Sequence, residues 1–197
     1  RCRHCGAPIP ARYLLVEALG GVLALGCTWQ YGAALDLPDG LFGMSWAALL
    51  ALAVCGILLS IALIDAETQT IPDRLNFALA VCGVAGTALS PAGWRGHIIG
   101  AVCVSVPMFL LCLAIDGAFG GGDIKLMAAA GLFLGWQNTL LAMFFGILGG
   151  GVYGMYLLAA KKADKKDHFA FGPFLCAGIV LAMLFGEPVL GWYCQFL

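Results

Sequence analysis

Charge is what this chain has little of. Asp, Glu, Lys and Arg make up 11% of its 197 residues, while hydrophobic residues make up 62%. A soluble globular protein is about 25% charged and about 45–50% apolar. The excess is too large for a water-soluble core and points to the membrane class. Basic surplus is missing as well: the net charge is −1, which leaves no electrostatic footprint for nucleic acid. Histidine is scarce, and the three present (His4, His97, His168) lie far apart, so no Ser/His or Cys/His constellation stands out. A secreted disulfide framework is absent too. Of nine cysteines, Cys27, Cys55, Cys82, Cys103, Cys112, Cys176 and Cys194 lie in or beside apolar stretches, where Cys behaves as a small hydrophobe. No signal-peptide pattern, repeat or low-complexity segment is visible. The opening RCRHCG reads as the interior of a longer polypeptide, so an N-terminal truncation is expected.

What is there is a series of long apolar runs. A membrane helix needs roughly 17–25 such residues. The pattern predicts spans over 13–34, 44–64, 75–89, 97–115, 123–136, 139–160 and 171–192, the third and fifth being short. The fifth reads equally as a crossing, a re-entrant piece or a buried helix. Loop charge favours a crossing, because cytoplasmic loops carry the excess of Lys and Arg. With seven crossings and a cytoplasmic N-terminus, nine of the ten basic residues fall on the cytoplasmic side and only Arg95 on the other. The expected fold is therefore an all-α polytopic membrane bundle of about seven transmembrane helices.

This topology brings two aspartates to one membrane face. Asp65 ends the second span and Asp123 opens the fifth. Carboxylates at such depth are rare and mark function by default. Asp65 sits in the stretch IDAETQTIPDRLN, 64–76, where Pro72 suits a helix start. Asp73 reads either as a helix-start charge favoured by the dipole or as part of a site. Asp123 follows Gly120, Gly121 and Gly122, which permit positive φ and close approach of another chain. Non-helical backbone at membrane depth survives only where protein buries it or water reaches it, so these glycines suggest a wet cavity. A tight loop whose Asp caps the next helix is the plainer alternative. Lys125 is most simply a snorkelling, positive-inside lysine. Gly146, Gly150 and Gly154 form a small-residue ladder on one helix face, suited to close packing within the chain or at a homodimer contact.

Two facing carboxyls suggest one reaction type. Like charges held close do not both ionise easily, so one keeps its proton and the pair titrates as a unit. The ionised member activates a water and the protonated one polarises a peptide carbonyl.

With these residues in view, the sequence resembles a known family. Gly120-Gly121-Gly122-Asp123 matches the GxGD signature of intramembrane aspartyl proteases. Ile64-Asp65 with the following IPD resembles the first catalytic block of the type IV prepilin peptidases, and GGGDIKLMAAAGLFLGW resembles their second. FGPFLCAG, 171–178, is similar to their last-span signature. RCRHCGAPIPARYLLVE is similar to the end of their cytoplasmic cysteine-rich domain. The resemblance covers essentially the whole chain. It implies that Asp65 and Asp123 are the catalytic pair, with Gly120, Gly121, Gly122, Pro72, Asp73 and Lys125 in the surrounding substrate-binding loops. It implies a peptidase of the bacterial inner membrane whose active site faces the cytoplasm and removes the leader of type IV prepilins or pseudopilins. Many members also N-methylate the new N-terminus with S-adenosylmethionine. Residues 1–12 would be the remnant of the cysteine-rich segment and 13–197 the transmembrane peptidase domain, of a protein with eight spans in full. Cys2 and Cys5 supply half of a four-ligand zinc site, complete only with a further segment. Membrane lipid and a prepilin are the expected partners.

Two competing readings carry different expectations. An ion-coupled transporter also places carboxylates in the membrane, but it is expected to hold them near the midplane and to show inverted repeats. A GxGD protease with another substrate would share the carboxylate pair and lack the IPD and FGPF blocks.

Overall fold

The computed structural model describes residues 11–31, 45–89, 94–115, 119–160 and 170–195. Cys2, Cys5, Asp116 and the basic run at 161–168 lie outside them. Among the described residues every regular element is a helix: α1 (Ala11–Tyr31), α2 (Trp46–Thr68), α3 (Asp73–Leu89), α4 (Trp94–Cys103), α5 (Ser105–Ala114), α6 (Gly121–Leu134), α7 (Trp136–Ala159) and α8 (Gly172–Cys194). Five of the described helical segments are long and apolar enough to cross a membrane: α1, α2, α4 with α5, α7 and α8. Helices satisfy their own backbone groups, which hydrocarbon cannot do. Trp29, Phe77, Leu113, Phe144 and Met155 stay exposed. Large apolar side chains left exposed on many helices are a liability in water and at home against lipid.

The chain divides into two compact units, Arg1–Gly56 and Ile57–Leu197, the boundary falling inside α2. In the first, Ser45 caps α2: its hydroxyl accepts the Ala48 N–H at 3.1 Å and donates to the Tyr31 carbonyl at 2.8 Å. This satisfies one of the orphan donors of a helix start and ties it to the end of α1. The Cys27 and Cys55 sulfurs lie 3.6 Å apart as free, buried thiols.

In the second unit, α6 is the central element. It touches α3, α4, α5, α7 and α8. Its 14 residues rise about 21 Å, against a hydrocarbon core of about 30 Å. Protein surrounds it instead: Leu126 and Met127 are fully buried. Close crossing of α4 and α6 needs two glycines, because a Cβ on Gly100 or Gly131 would meet the other's backbone. The C-terminal end of α6 is tied down as well. The Leu132 carbonyl accepts from the Thr87 hydroxyl at 2.9 Å and from His97 Nδ1–H at 2.9 Å. Gly135, at φ 75, then turns the chain directly into α7. Gly146 and Gly150 of the ladder do pack within the chain, against Leu175 and the Phe171 ring.

Two expected spans differ in detail. The 97–115 run is two helices, with the break at Val104. Pro107 explains it, since proline has no N–H for the Cys103 carbonyl and its ring crowds that carbonyl. The second span does not stop near Ile64 but continues to Thr68, whose hydroxyl caps the Ile64 carbonyl at 2.9 Å. Gln69, at φ 53, closes the helix in the left-handed conformation common just past a helix end.

Candidate active site

The end of α2 and the starts of α3 and α6 meet around one cavity. Asp65 lies in the last turn of α2, Asp123 in the first turn of α6, and α8 begins beside Asp65. The cavity measures about 300 Å³ and is lined by Asp65, Gln69, Thr70, Ile71, Asp73, Gly120, Gly121, Gly122 and Asp123. Both aspartates are buried, at 5% and 8% exposure, and face the same cavity. Buried carboxyls need partners. Each finds one backbone donor. The Gly172 N–H donates to Asp65 Oδ2 at 3.0 Å. The Gly120 N–H donates to Asp123 Oδ2 at 3.3 Å.

The positions expected from sequence converge, with one correction. Gly120, Gly121, Gly122 and Asp73 line the cavity with both aspartates. Pro72 supplies the carbonyl that starts α3, accepting from the Leu75 and Asn76 N–H groups. The glycines, however, do not adopt positive φ. Gly120 is extended at φ −71, and Gly121 and Gly122 already belong to the first turn of α6. Among the described glycines positive φ occurs at Gly135 alone. The close approach expected of the glycine run is found at one position: a Cβ on Gly122 would lie 2.9 Å from Ile71 Cβ, whereas one on Gly121 would meet nothing. The triplet thus brings α6 against the IPD segment rather than bending the backbone. Asp73 and Lys125, both expected in the loops around the site, pair with each other at 2.7 Å on the exposed rim.

Two contributors went unnoticed in the sequence. Asn76, buried in α3, donates from Nδ2 to the Gly122 carbonyl at 3.3 Å and so fixes the start of α6. Its place in the IPDRLN block was the available signal. Gly172 bonds Asp65 from 107 residues away; a Cβ there would lie 2.5 Å from Asp65 Oδ2. Cys176, one turn further along α8, is buried. Among the described residues no group of three or more His, Cys, Asp or Glu could hold a metal ion.

Comparison with known proteins follows the same residues. The family model for the type IV leader peptidase family matches residues 52–155, and that for the bacterial peptidase A24 N-terminal domain matches residues 1–31. The chain is similar to the prepilin leader peptidase/N-methyltransferase of Burkholderia pseudomallei (strain 1026b), 35% identical over 196 residues, covering 95% of this chain and 59% of the relative. It is also similar to proteins of that name from Legionella pneumophila, 31% identical with 100% of this chain and 67% of the relative covered, and from Bacillus subtilis (strain 168), 27% identical with 99% and 75% covered. The chain thus spans about three fifths of the Burkholderia relative's length. No solved structure matches. One family model covers more than half of the chain, including both aspartates, and the protein is a multi-pass helical membrane protein that belongs to the type IV leader peptidase family.

Proposed function

We propose that the protein is an aspartyl endopeptidase that cleaves the leader from type IV prepilins or pseudopilins at the cytoplasmic face of the bacterial inner membrane. One observation carries the reading: two buried carboxyls, Asp65 and Asp123, line one cavity with a backbone donor behind each. The peptidase domain is residues 13–197.

The chemistry follows from the pair. The ionised carboxylate takes a proton from water as the oxygen attacks the scissile carbonyl. The protonated partner hydrogen-bonds the carbonyl oxygen as it gains negative charge. The tetrahedral adduct then collapses, the C–N bond breaks, and a carboxyl gives its proton to the leaving amine. Neither aspartate becomes covalently linked. The cavity opens beside the exposed Asp73–Lys125 rim, which suits a peptide that ends its polar leader where an apolar helix begins. The relatives' names also include an N-methyltransferase. S-adenosylmethionine would supply the methyl group. A zinc site at Cys2 and Cys5 would need ligands beyond those two.

The test is cleavage of a prepilin by the purified full-length protein in lipid, followed by mass spectrometry of the leader. Asp65→Ala and Asp123→Ala are each expected to reduce cleavage by at least about 10³-fold, with folding retained. Full cleavage by either variant would sink the assignment. A further methyl mass, seen only with S-adenosylmethionine, would establish the second activity.

A further inference from the structure

The two donors that hold the carboxyls share a feature. Each is the glycine of a Phe-Gly dipeptide: Phe119-Gly120 for Asp123 and Phe171-Gly172 for Asp65. The two phenylalanine rings pack on each other, with centroids 5.8 Å apart and planes tilted by 49°. We propose that Phe119-Gly120 and Phe171-Gly172 form a positioning clasp: the paired rings fix the separation of two backbone N–H groups, and those groups fix the separation of the Asp65 and Asp123 carboxyls.

The local geometry supports each half. In α8 the helix start leaves one donor for the site. Pro173 has no N–H, and the Phe174 and Leu175 N–H groups both bond the Phe171 carbonyl. Gly172 N–H is therefore the donor that remains, and it is spent on Asp65. Phe171 is held from a third side. The Gly150 face of α7 admits its ring so closely that a Cβ at 150 would lie 2.7 Å from it. At α6 the Gly120 N–H lies just before the helix, and the Asp123 carboxyl reaches back to accept it. Gly172 is buried, and Gly120, which also lines the cavity, spends its N–H on Asp123. They act through the aspartates, so both dipeptides are positioning elements. The order in the chain makes the arrangement economical: ring contact between residues 119 and 171 moves both donors together. A catalytic pair that shares one proton depends on such spacing, because a misplacement of about 1 Å costs about 10²-fold in rate.

The clasp rests on the aspartyl reading above, and its test separates the two. The full-length protein is assayed for prepilin cleavage with kcat and KM determined apart. Asp65→Ala serves as the reference for a dead site; if it cleaves, the aspartyl reading fails and the clasp with it. Given a dead Asp65→Ala, the Gly172 amide is replaced by an ester through a hydroxy-acid analogue of glycine, which removes the donor and adds no atoms. The expected result is a kcat lower by about tenfold, an unchanged KM and a displaced pH–rate profile. Phe119→Leu, Phe171→Leu and the double variant complete a cycle. Each single change is expected to lower kcat about tenfold with KM within about twofold, and the double to lower it no further. Gly186→Ala is the control for plain destabilisation, since the nearest atoms a Cβ there would meet belong to the Asn138 side chain; its pH–rate profile is expected to superimpose on wild type. An ester variant with wild-type kcat overturns the donor role. Additive Phe effects, or losses that follow the folded fraction with an unmoved pH profile, overturn the clasp.

Discussion

Asp65 and Asp123 present the same chemical group to the same cavity, yet the chain holds them by opposite means. Asp123 is held locally. It stands at the start of a short helix, and its donor, Gly120, lies three residues before it. Asp65 is held at long range. It stands near the end of a 23-residue helix, and its donor belongs to the last helix of the chain. A local hold survives almost any rearrangement of the bundle, because the two partners move as one piece. A long-range hold exists only when α8 is docked. The difference teaches that folding of the whole second unit, rather than of any one helix, completes the site. Asp65 gains its partner only as the final helix arrives.

Substituting the two donors themselves probes that asymmetry most directly. An alanine at 172 puts Cβ at 2.5 Å from Asp65 Oδ2 and 2.9 Å from its Cγ, so the carboxyl or the helix must move. Gly172→Ala is expected to lower kcat by about 10²-fold, with a smaller effect on KM. At 120 the same methyl lies 3.2 Å from Asp123 Oδ2, and φ −71 with ψ 143 suits any residue. Gly120→Ala is expected to cost less than about fivefold, since Asp123 need give by only a few tenths of an ångström within its own turn. Equal losses in a cleavage assay would erase the distinction drawn between the two holds.

Gly122 and Asn76 test the next level, the docking of α6 on the IPD segment. Gly122→Ala drives a methyl to 2.9 Å from Ile71 Cβ. Overpacking of this kind costs typically about 1–3 kcal/mol, and thermal melting in lipid or detergent would read it. Asn76→Ala removes one hydrogen bond to the Gly122 carbonyl, worth about 0.5–1.5 kcal/mol net. The loss is softened because Asn76 Oδ1 has no partner among the described residues, so an unpaired acceptor leaves with it. Asn76→Asp is expected to be worse than Asn76→Ala, since it sets an oxygen against that carbonyl. The reverse order would mean that Asn76 does not pin the start of α6.

Much of this was legible in the chain, and what was hidden was hidden for one reason. Composition and apolar runs place the helices, with α4 and α5 read as one, because the apolar character of a helix is a property of local sequence. Asp65 and Asp123 stand out since charge at span ends is costly and scarce. The glycine triplet was conspicuous for the wrong cause: its absent side chains serve contact with Ile71 rather than positive φ. The extension of α2 past Asp65 was also missed, because the polar residues after Asp65 look like a loop until Thr68 and Gln69 are seen to close the helix. Gly172 had a local signal, a Gly-Pro at a helix start, but nothing in that signal names a carboxylate 107 residues earlier. Partners fixed by tertiary docking have no spacing to read.

The smallest effect is expected at the rim. Lys125 and Asp73 bond at 2.7 Å across the starts of α6 and α3, but their side chains are 59% and 73% exposed. Exposed ion pairs contribute about 0.2–1 kcal/mol and weaken with salt. If the pair merely staples two helix starts that Asn76 already joins, Lys125→Ala shifts melting by that little and leaves kcat unchanged. Asp73 also lines the cavity, so loss of Lys125 frees a carboxylate at its mouth. A positively charged leader would then bind more tightly, and KM is expected to fall about two- to threefold at low salt, an effect that added salt removes. Measuring KM for Lys125→Ala at two salt concentrations separates a rim that guides the substrate from one that only braces the helices. A KM that stays constant at both would assign the pair to bracing and leave substrate approach to the buried site alone.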